Sequence, residues 1–450
     1  MINVFCKFPM RLQKLSLNTA HQNIVFWNLQ IYFLVIFSIS ILAIIPVKLN
    51  SQSLSDTQIN QLFPFIHTQV NSIEHFGDDN NYSAFIHKFE ELNALGKGEI
   101  NIVHIGGSHV QADWFTNAYR QYFYQFERGL TGSRGFVFPY KMAHTNSGST
   151  YKFESSSNWT TCRNVRNVNN CKLGLGGIAI TTTDSLANLK FSFKSNDIIK
   201  YDFKSLKLLH PFDSGEFAFR FDSSLVVEIK HNPDSGYSEV FFKHSIDSFN
   251  LEFFKSDSLQ SHFTVWGFIL ETEDAGINIH NIGINGASIP SFLNTPEFYR
   301  QLPLIHPDLI VIGLGINDAH SADFSDSVYI HNYNLLIGKI RESCPGSAIV
   351  LLTNNDSYLS RKKVNKNGVL VEQAIYSIAK ENHLAVWNQF QIMGGLKSMH
   401  TWQKHKLSQK DKVHFTKQGY EIIGNLFFNA ILDDYYHYLE IKKINKCHIL

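Results

Sequence analysis

Ile102-Val103-His104-Ile105-Gly106-Gly107-Ser108-His109 is a β-branched apolar run that breaks at two glycines and delivers a serine. Working outward, the strand runs from Glu99 to Ile105, and a helix starts after Ser108 and passes through Ala112 and Tyr119. The pattern recurs downstream. Ile277-Asn278-Ile279 leads to Gly283-Ile284-Asn285-Gly286-Ala287, and the run Leu309 to Leu314 leads to Gly315-Ile316-Asn317-Asp318. A helix over Asp326–Glu342, a strand over Ala348–Thr353, a helix over Val369–Glu381, a strand over Leu384–Trp387 and a helix from Lys417 to about Leu432 follow. Strands alternating with helices predict an α/β fold, a parallel sheet with helices on both faces. Ligands in such sheets bind at the carboxyl ends of strands, where Ser108 and Asn317 fall.

Between the first strand and residue 276 the character changes. Ala187–Phe193 and Phe217–Phe221 alternate apolar and polar residues, Ser224–Ile229 is a short β-branched run, and turn sequences such as Asn232-Pro233-Asp234-Ser235-Gly236 separate them. With hardly a helical segment from about Asn158 to Ala275, this stretch reads as an inserted all-β, jelly-roll-like domain. Gly129–Tyr151, rich in Gly, Ser, Thr and Asn, reads as too polar for core and as lining the site. Asp56–Leu95 reads as mostly helical. The chain thus divides into 1–51, a targeting segment; 52–157 and 276–450, two parts of one α/β domain; and 158–275, the insert.

Together with Asp411-Lys412-Val413-His414 near the C-terminus, the three glycine blocks resemble the SGNH (GDSL-like) hydrolase family, in the family's order. The resemblance implies a three-layer sandwich around a central parallel sheet and a serine-esterase site. A serine hydroxyl needs an adjacent base to become a nucleophile. Ser108 takes that part, His414 is the base, and Asp411 orients the imidazole and stabilises its charged form. The oxyanion needs donors placed beforehand, each worth about 3–4 kcal/mol. The resemblance assigns them to the backbone N–H groups of Ser108 and Gly286 and to the Asn317 side chain. One position departs from the pattern: the first block usually reads Gly-Asp-Ser, and Gly107 stands where the Asp would be. That Asp is not the acid of the triad, and a related subgroup reads Gly-Gly-Ser-His followed by Val-Gln-Ala, as here. Gly135-Phe136-Val137-Phe138-Pro139 resembles the same subgroup.

The remaining features bound the function. Charge is nearly balanced, with 40 basic and 39 acidic residues, which gives no argument for nucleic acid. Lys7, Arg11 and Lys14 precede an apolar stretch densest from Ile31 to Val47, the pattern of an export signal cleaved after Ser51 or of a single-span tether at about residues 24–47. Either places the chain in the periplasm or at the cell surface. Of five cysteines, Cys162 and Cys171 are spaced to pair in an oxidising compartment. His400, His405, His414 and Asp411 offer zinc-type ligands, but their spacing matches no standard motif and a metal would consume the base, so no metal or cofactor is expected. His104 alternates with apolar neighbours and reads as core. Asp318 reads as the cap of the next helix. His109, Lys141 and Asn146 are candidate substrate contacts.

The expected activity is that of an exported esterase removing acyl groups, acetyl foremost, from a carbohydrate polymer through an acyl-serine intermediate. The two-part layout resembles peptidoglycan and carbohydrate O-acetylesterases, in which the insert looks like a carbohydrate-binding module. A polysaccharide O-acetyltransferase would use the same triad. A glycan-binding protein with a decayed site is the reading that Gly107 keeps open.

Overall fold

The computed structural model describes residues 53–77, 80–126, 130–165, 171–194 and 199–449. The targeting segment expected over residues 1–51 lies outside the described residues. No described helix is long and apolar enough to cross a membrane. From Ser51 onward the chain forms one compact unit.

The central sheet has six strands in the order Ile73–His75, Ala385–Trp387, Ala348–Leu352, Leu309–Gly313, Glu99–Gly106 and Gly276–Gly283. The last five run parallel, and Ile73–His75 adds an antiparallel edge. Successive side chains on a strand face opposite ways, and both sets are buried. Val103, Ile105, Ile310, Ile312, Ile349 and Leu351 belong to one apolar cluster, with the helices Asp326–Ser343 and Asn367–Asn382. Ile102, Leu309, Val311 and Val350 belong to a second, with Asn80–Leu95, Trp114–Gln125 and the helix that starts at Lys417. Burial on both faces is why these strands read as continuous apolar runs.

The expected elements from Leu309 onward are all present, with the last helix longer than expected. It runs to Ile449 because its outer turns find partners: Tyr435 packs against Phe89, and Lys442 pairs with Glu90. The short strand Ile73–His75 interrupts the region expected to be mostly helical.

Between Glu99–Gly106 and Gly276–Gly283 the described residues form three antiparallel sheets, of five, four and three strands. They also take in Gly135–Val137, paired with Gly267–Glu271, and Tyr151–Glu154, paired with Leu186–Phe193, both upstream of the residue 158 boundary. The Gly129–Tyr151 stretch is therefore not polar throughout: Thr145 and Asn146 bond Gln111 beside the site, while its middle enters the core. Phe136, Val137 and Phe138 are buried, because a polar window hides a three-residue strand, Gly135–Val137, whose partner Phe268–Leu270 lies far along the chain. Cys162 and Cys171 form a disulfide. The aromatic side chains of these sheets, among them Phe153, Phe191, Phe249 and Phe268, share one buried cluster with Val103, Ile105 and Ile282 of the central sheet.

A shared core has a measurable consequence. Replacing residues 158–275 with a short linker removes the partner of Gly135–Val137 and uncovers apolar side chains of the central sheet. The shortened chain is expected to lose cooperative thermal unfolding, while the full chain unfolds in one transition. A shortened chain with a sharp transition near that of the full chain would show that the antiparallel region folds apart.

Candidate active site

Three adjacent parallel strands end in glycine at one level: Gly106 is paired with Gly283 on one side and with Gly313 on the other. The chain turns there into the three blocks carrying Ser108, Gly286 and Asn317. Close approach explains two of these glycines. A Cβ on Gly283 would lie 2.3 Å from Gln111 N, and one on Gly106 would lie 2.5 Å from Val110 Cγ2. With hydrogen there, the short helix Ser108–Gln111 settles against the strand ends.

Ser108 opens that helix, and His414 comes from the turn before the last helix. The Ser108 Oγ lies 2.7 Å from His414 Nε2, and His414 Nδ1 lies 2.8 Å from Asp411 Oδ2. The other Asp411 oxygen accepts the N–H groups of Val413 and His414 at 2.9 and 3.0 Å. Burial by itself pushes the Asp411 carboxyl up, but the hydrogen bonds from His414 and these two N–H groups outweigh it, and its pKa lies below the ordinary aspartate value. The turn is held from beneath: Asn355 Nδ2 donates to Val413 O at 3.0 Å, and the Tyr358 N–H donates to Lys412 O at 3.1 Å.

Asn317 sits in the short helix Ile316–Ala319 and spends one amide hydrogen on Ala287 O, at 2.8 Å. A Cβ built on Gly107 would lie 3.2 Å from Asn317 Nδ2 and 3.6 Å from Ala287 O, so the three blocks converge at Gly107. An amide carries two hydrogens, and the second remains for a ligand. Gly286 has φ +87°, a conformation that suits glycine, and a Cβ there would meet nothing nearer than Val165 Cγ1 at 4.0 Å.

Other residues singled out in the sequence fall elsewhere. His109 is turned inward: its Nδ1 is 2.9 Å from Tyr420 Oη, and its ring packs against His414 with centroids 5.1 Å apart. Burial, and secondarily the nearby His414, push its pKa down to about 3, so it stands neutral beneath the base and not at the rim. Lys141 and Asn146 are exposed in the loop after Phe138, and the Asn146 carbonyl accepts from Gln111. His104 is buried with Nδ1 3.1 Å from Tyr119 Oη. Asp318 does not cap a following helix; its Oδ1 accepts the N–H of Ile289, at the start of the helix after the Gly286 block. His405 lies against Phe65, and among the described residues no three His, Cys, Asp or Glu side chains are grouped to hold a metal.

Sequence reasoning missed three supporting groups. Gln111 is buried and receives the Asn285 N–H at 2.7 Å while donating to Thr145 Oγ1 and Asn146 O at 3.0 and 2.8 Å, which fixes the turn just before Gly286. Asp113 is fully buried in the left-handed region, at φ 62°, and takes bonds from Arg134, Thr116, Thr150 and Arg120. Burial opposes its charge, yet Arg134 and Arg120 hold its carboxyl down to about 2. His320 bonds Ser357 Oγ at 3.0 Å, and burial first, then His414, lower its pKa. The Gly-Gly-Ser-His-Val-Gln-Ala wording of the first block was the available pointer to Gln111.

Residues 258–422 match the model of the GDSL-like lipase/acylhydrolase family. The chain carries a GDSL-like acylhydrolase domain. The domain is that of a carboxylic ester hydrolase, of the SGNH type that the four blocks resemble. The matched span holds Gly286, Asn317, Asp411 and His414 and leaves Ser108 outside, because the antiparallel strands separate the first block from the rest. The fold is similar to that of a structure titled "Peptidoglycan O-acetylesterase in action, 5 min", with TM-score 0.68 and 18% identity over 81% of this chain and 99% of that one. A GDSL-like lipase from Bacteroides thetaiotaomicron aligns over 35% of this chain and 76% of its own, at 19% identity and TM-score 0.28. No protein in the search of curated proteins matches the chain.

Two outcomes follow for this GDSL-like domain. Gly107→Asp forces a side chain against Asn317 Nδ2, which Ala287 O holds in place, so kcat on an aryl acetate should fall about tenfold or more, with a smaller fall for Gly107→Ala. Unchanged turnover by the Asp variant would show that Asn317 yields without loss.

Asp318 gives a pH dependence. Its Oδ2 is buried without a partner, and burial pushes the carboxyl from 3.8 up to about 6. The folded chain therefore holds this proton more tightly than the unfolded chain. The resulting stabilisation is complete below the ordinary aspartate pKa and is lost as pH rises through about 6. Asp318→Asn never ionises, so its Tm relative to the parent should increase from about pH 4 to about pH 7. A Tm difference flat across that range would place the titration elsewhere.

Proposed function

We propose that the protein is an exported serine esterase that removes acetyl groups from a carbohydrate polymer such as peptidoglycan. The observation that carries this reading is the unbroken hydrogen-bonded line from Ser108 through His414 to Asp411, at 2.7 and 2.8 Å, beside the Gly286 turn and the Asn317 amide. Ser108 Oγ attacks the ester carbonyl as His414 Nε2 takes its proton, and Asp411, kept ionised, stabilises the imidazolium. The N–H groups of Ser108 and Gly286 and the free amide hydrogen of Asn317 receive the oxyanion. His414 returns the proton to the departing sugar alkoxide. Water, deprotonated by the same nitrogen, then releases acetate and restores Ser108.

The substrate class rests on the likeness to the peptidoglycan O-acetylesterase structure, which extends over the antiparallel sheets as well as the α/β part. We read those sheets as a jelly-roll-like, carbohydrate-binding insert in a three-layer SGNH domain. We read Lys141 and Asn146, exposed on the loop that Gln111 ties to the Gly286 turn, as contacts for the polymer. Export is supported by the basic-then-apolar segment before Ser51 and by the Cys162–Cys171 disulfide, which suits an oxidising compartment. An intact relay is also what a chain retired to glycan binding has no physical need to keep.

The purified protein should hydrolyse p-nitrophenyl acetate faster than longer esters. Ser108→Ala, His414→Ala and Asp411→Ala should each lower kcat by about 10³ or more, and pairs should lose little further, since the residues act as a unit. Asn317→Ala should cost about 10²–10³ in kcat with a smaller change in KM, because its second hydrogen matters most once the oxyanion exists. On acetylated peptidoglycan, free acetate marks a hydrolase, and acetyl appearing on an added glycan marks a transferase. A Ser108→Ala protein that keeps most of the rate would overturn the nucleophile assignment.

A further inference from the structure

The antiparallel region holds a cavity of about 370 Å³, none of whose walls belongs to the site around Ser108. It opens among the loop 210–217 and the strands Ala218–Arg220, Val226–Asn232 and Phe263–Val265. Its volume lies in the range of small-ligand sites.

Several polar groups of this cavity are already paired, with one another or with side chains behind the wall. Both ring nitrogens of His210 are occupied, Nδ1 by Glu216 Oε2 and Nε2 by Ser238 Oγ, each at 2.8 Å. His231 Nδ1 shares the same Ser238 hydroxyl at 2.8 Å. Asp213 lies 3.2 Å from Lys172 Nζ. The Glu216 side chain is only 8% exposed, and its Oε1 has no partner. A buried carboxylate oxygen left without a donor is costly. Among the described residues no lysine or arginine lines the cavity to supply one.

The rest of the wall is aromatic. Phe212 is held at φ 58°, an unusual conformation for a bulky residue, and this lays its ring on His210 with centroids 3.9 Å apart. Phe219 and Phe263 stand nearly perpendicular, 75° apart, with centroids 5.9 Å apart. Ring faces around a lone acceptor favour a ligand that is positively charged, rich in donors and apolar on its flanks. An ammonium has three donors and no acceptor, which matches a wall whose buried unpaired atom is a carboxylate oxygen.

We propose that this cavity binds an organic ammonium group, with Glu216 Oε1 as its counter-charge and Phe212, Phe219 and Phe263 as its walls. Two sources share that chemistry, the amine of an unacetylated amino sugar and an alkylammonium side chain. The inference does not rest on the esterase reading, and its test separates the two.

The test is calorimetric titration of the full protein with glucosamine, n-butylammonium and choline. N-acetylglucosamine and 3,3-dimethylbutan-1-ol, the uncharged counterpart of choline, serve as neutral controls. At least one ammonium probe should bind about tenfold or more tightly than its neutral counterpart. Glu216→Gln should erase that preference. Phe219→Ala, which leaves the His210–Glu216 pair intact, should weaken the same probe severalfold. Ser108→Ala should bind as the parent does, and Glu216→Gln should keep ester turnover. Glucosamine binding alone assigns the amino sugar, and butylammonium or choline binding alone assigns the alkylammonium. Equal binding of charged and neutral probes, or no ammonium binding to the folded parent, overturns the proposal.

Discussion

The site depends on one constraint: Gly283, Gly106 and Gly313 lie side by side in a parallel register. A parallel sheet places the ends of neighbouring strands at one edge, and the residues that follow leave together. Because side chains alternate along a strand, a slip of one residue in any of the three would exchange its two buried faces, each of which packs on its own helices. The core therefore sets the register, and the register sets the distance between Ser108, the Gly286 turn and Asn317. Glycine at the end of Gly276–Gly283 allows the last step, in which the helix backbone at Gln111 comes closer to the strand than a Cβ would permit.

Charge around the relay is confined by the same packing. His109 and His320 each stand close enough to His414 to feel its charge. Burial holds both toward the neutral form, and of the three His414 is the one hydrogen-bonded to a carboxylate. Asp411 in turn is kept ionised by three hydrogen bonds and not by a nearby cation. The proposed proton transfer runs between Ser108 Oγ and His414 Nε2. A cation beside Asp411 would have weakened its pull on the imidazolium.

How far the sequence could be read follows from the range of the interactions involved. The strands of the central sheet were legible because each is a continuous apolar run ended by glycine, and the blocks beyond them because their residue types match one chemistry. Both signals are local. Gln111 had only the wording of its own block to mark it, and its role comes from Asn285, 174 positions away. Asp113, Arg120 and Arg134 would ordinarily be read as solvated charges, and only the fold shows them fully buried together. Gly135–Val137 failed for the opposite reason, since a short strand inside a polar window carries too little periodicity to register. His109 was legible as important and misread in direction, because the turn that aims Ser108 outward rotates its neighbour onto Tyr420.

The buried charges explain why a long antiparallel region can separate two blocks that must touch. Asp113 follows the nucleophile helix, Arg134 opens the strand Gly135–Val137, and Asn281 lies in the strand that leads to Gly286. Arg134 Nη2 bonds both Asp113 Oδ2, at 2.8 Å, and Asn281 Oδ1, at 2.9 Å. Arg120 joins Asp113 to the carbonyl of Ile279 in that same strand. Removing one member of such a set strands a charge away from water, typically at about 3–5 kcal/mol. The set is therefore weak evidence of net stability and strong evidence of a fixed arrangement. It locks the first and second blocks to each other through a residue of the antiparallel sheets. Those sheets are then part of what holds the Gly286 turn at Ser108, and the active-site geometry depends on them even where they contribute no reacting atom.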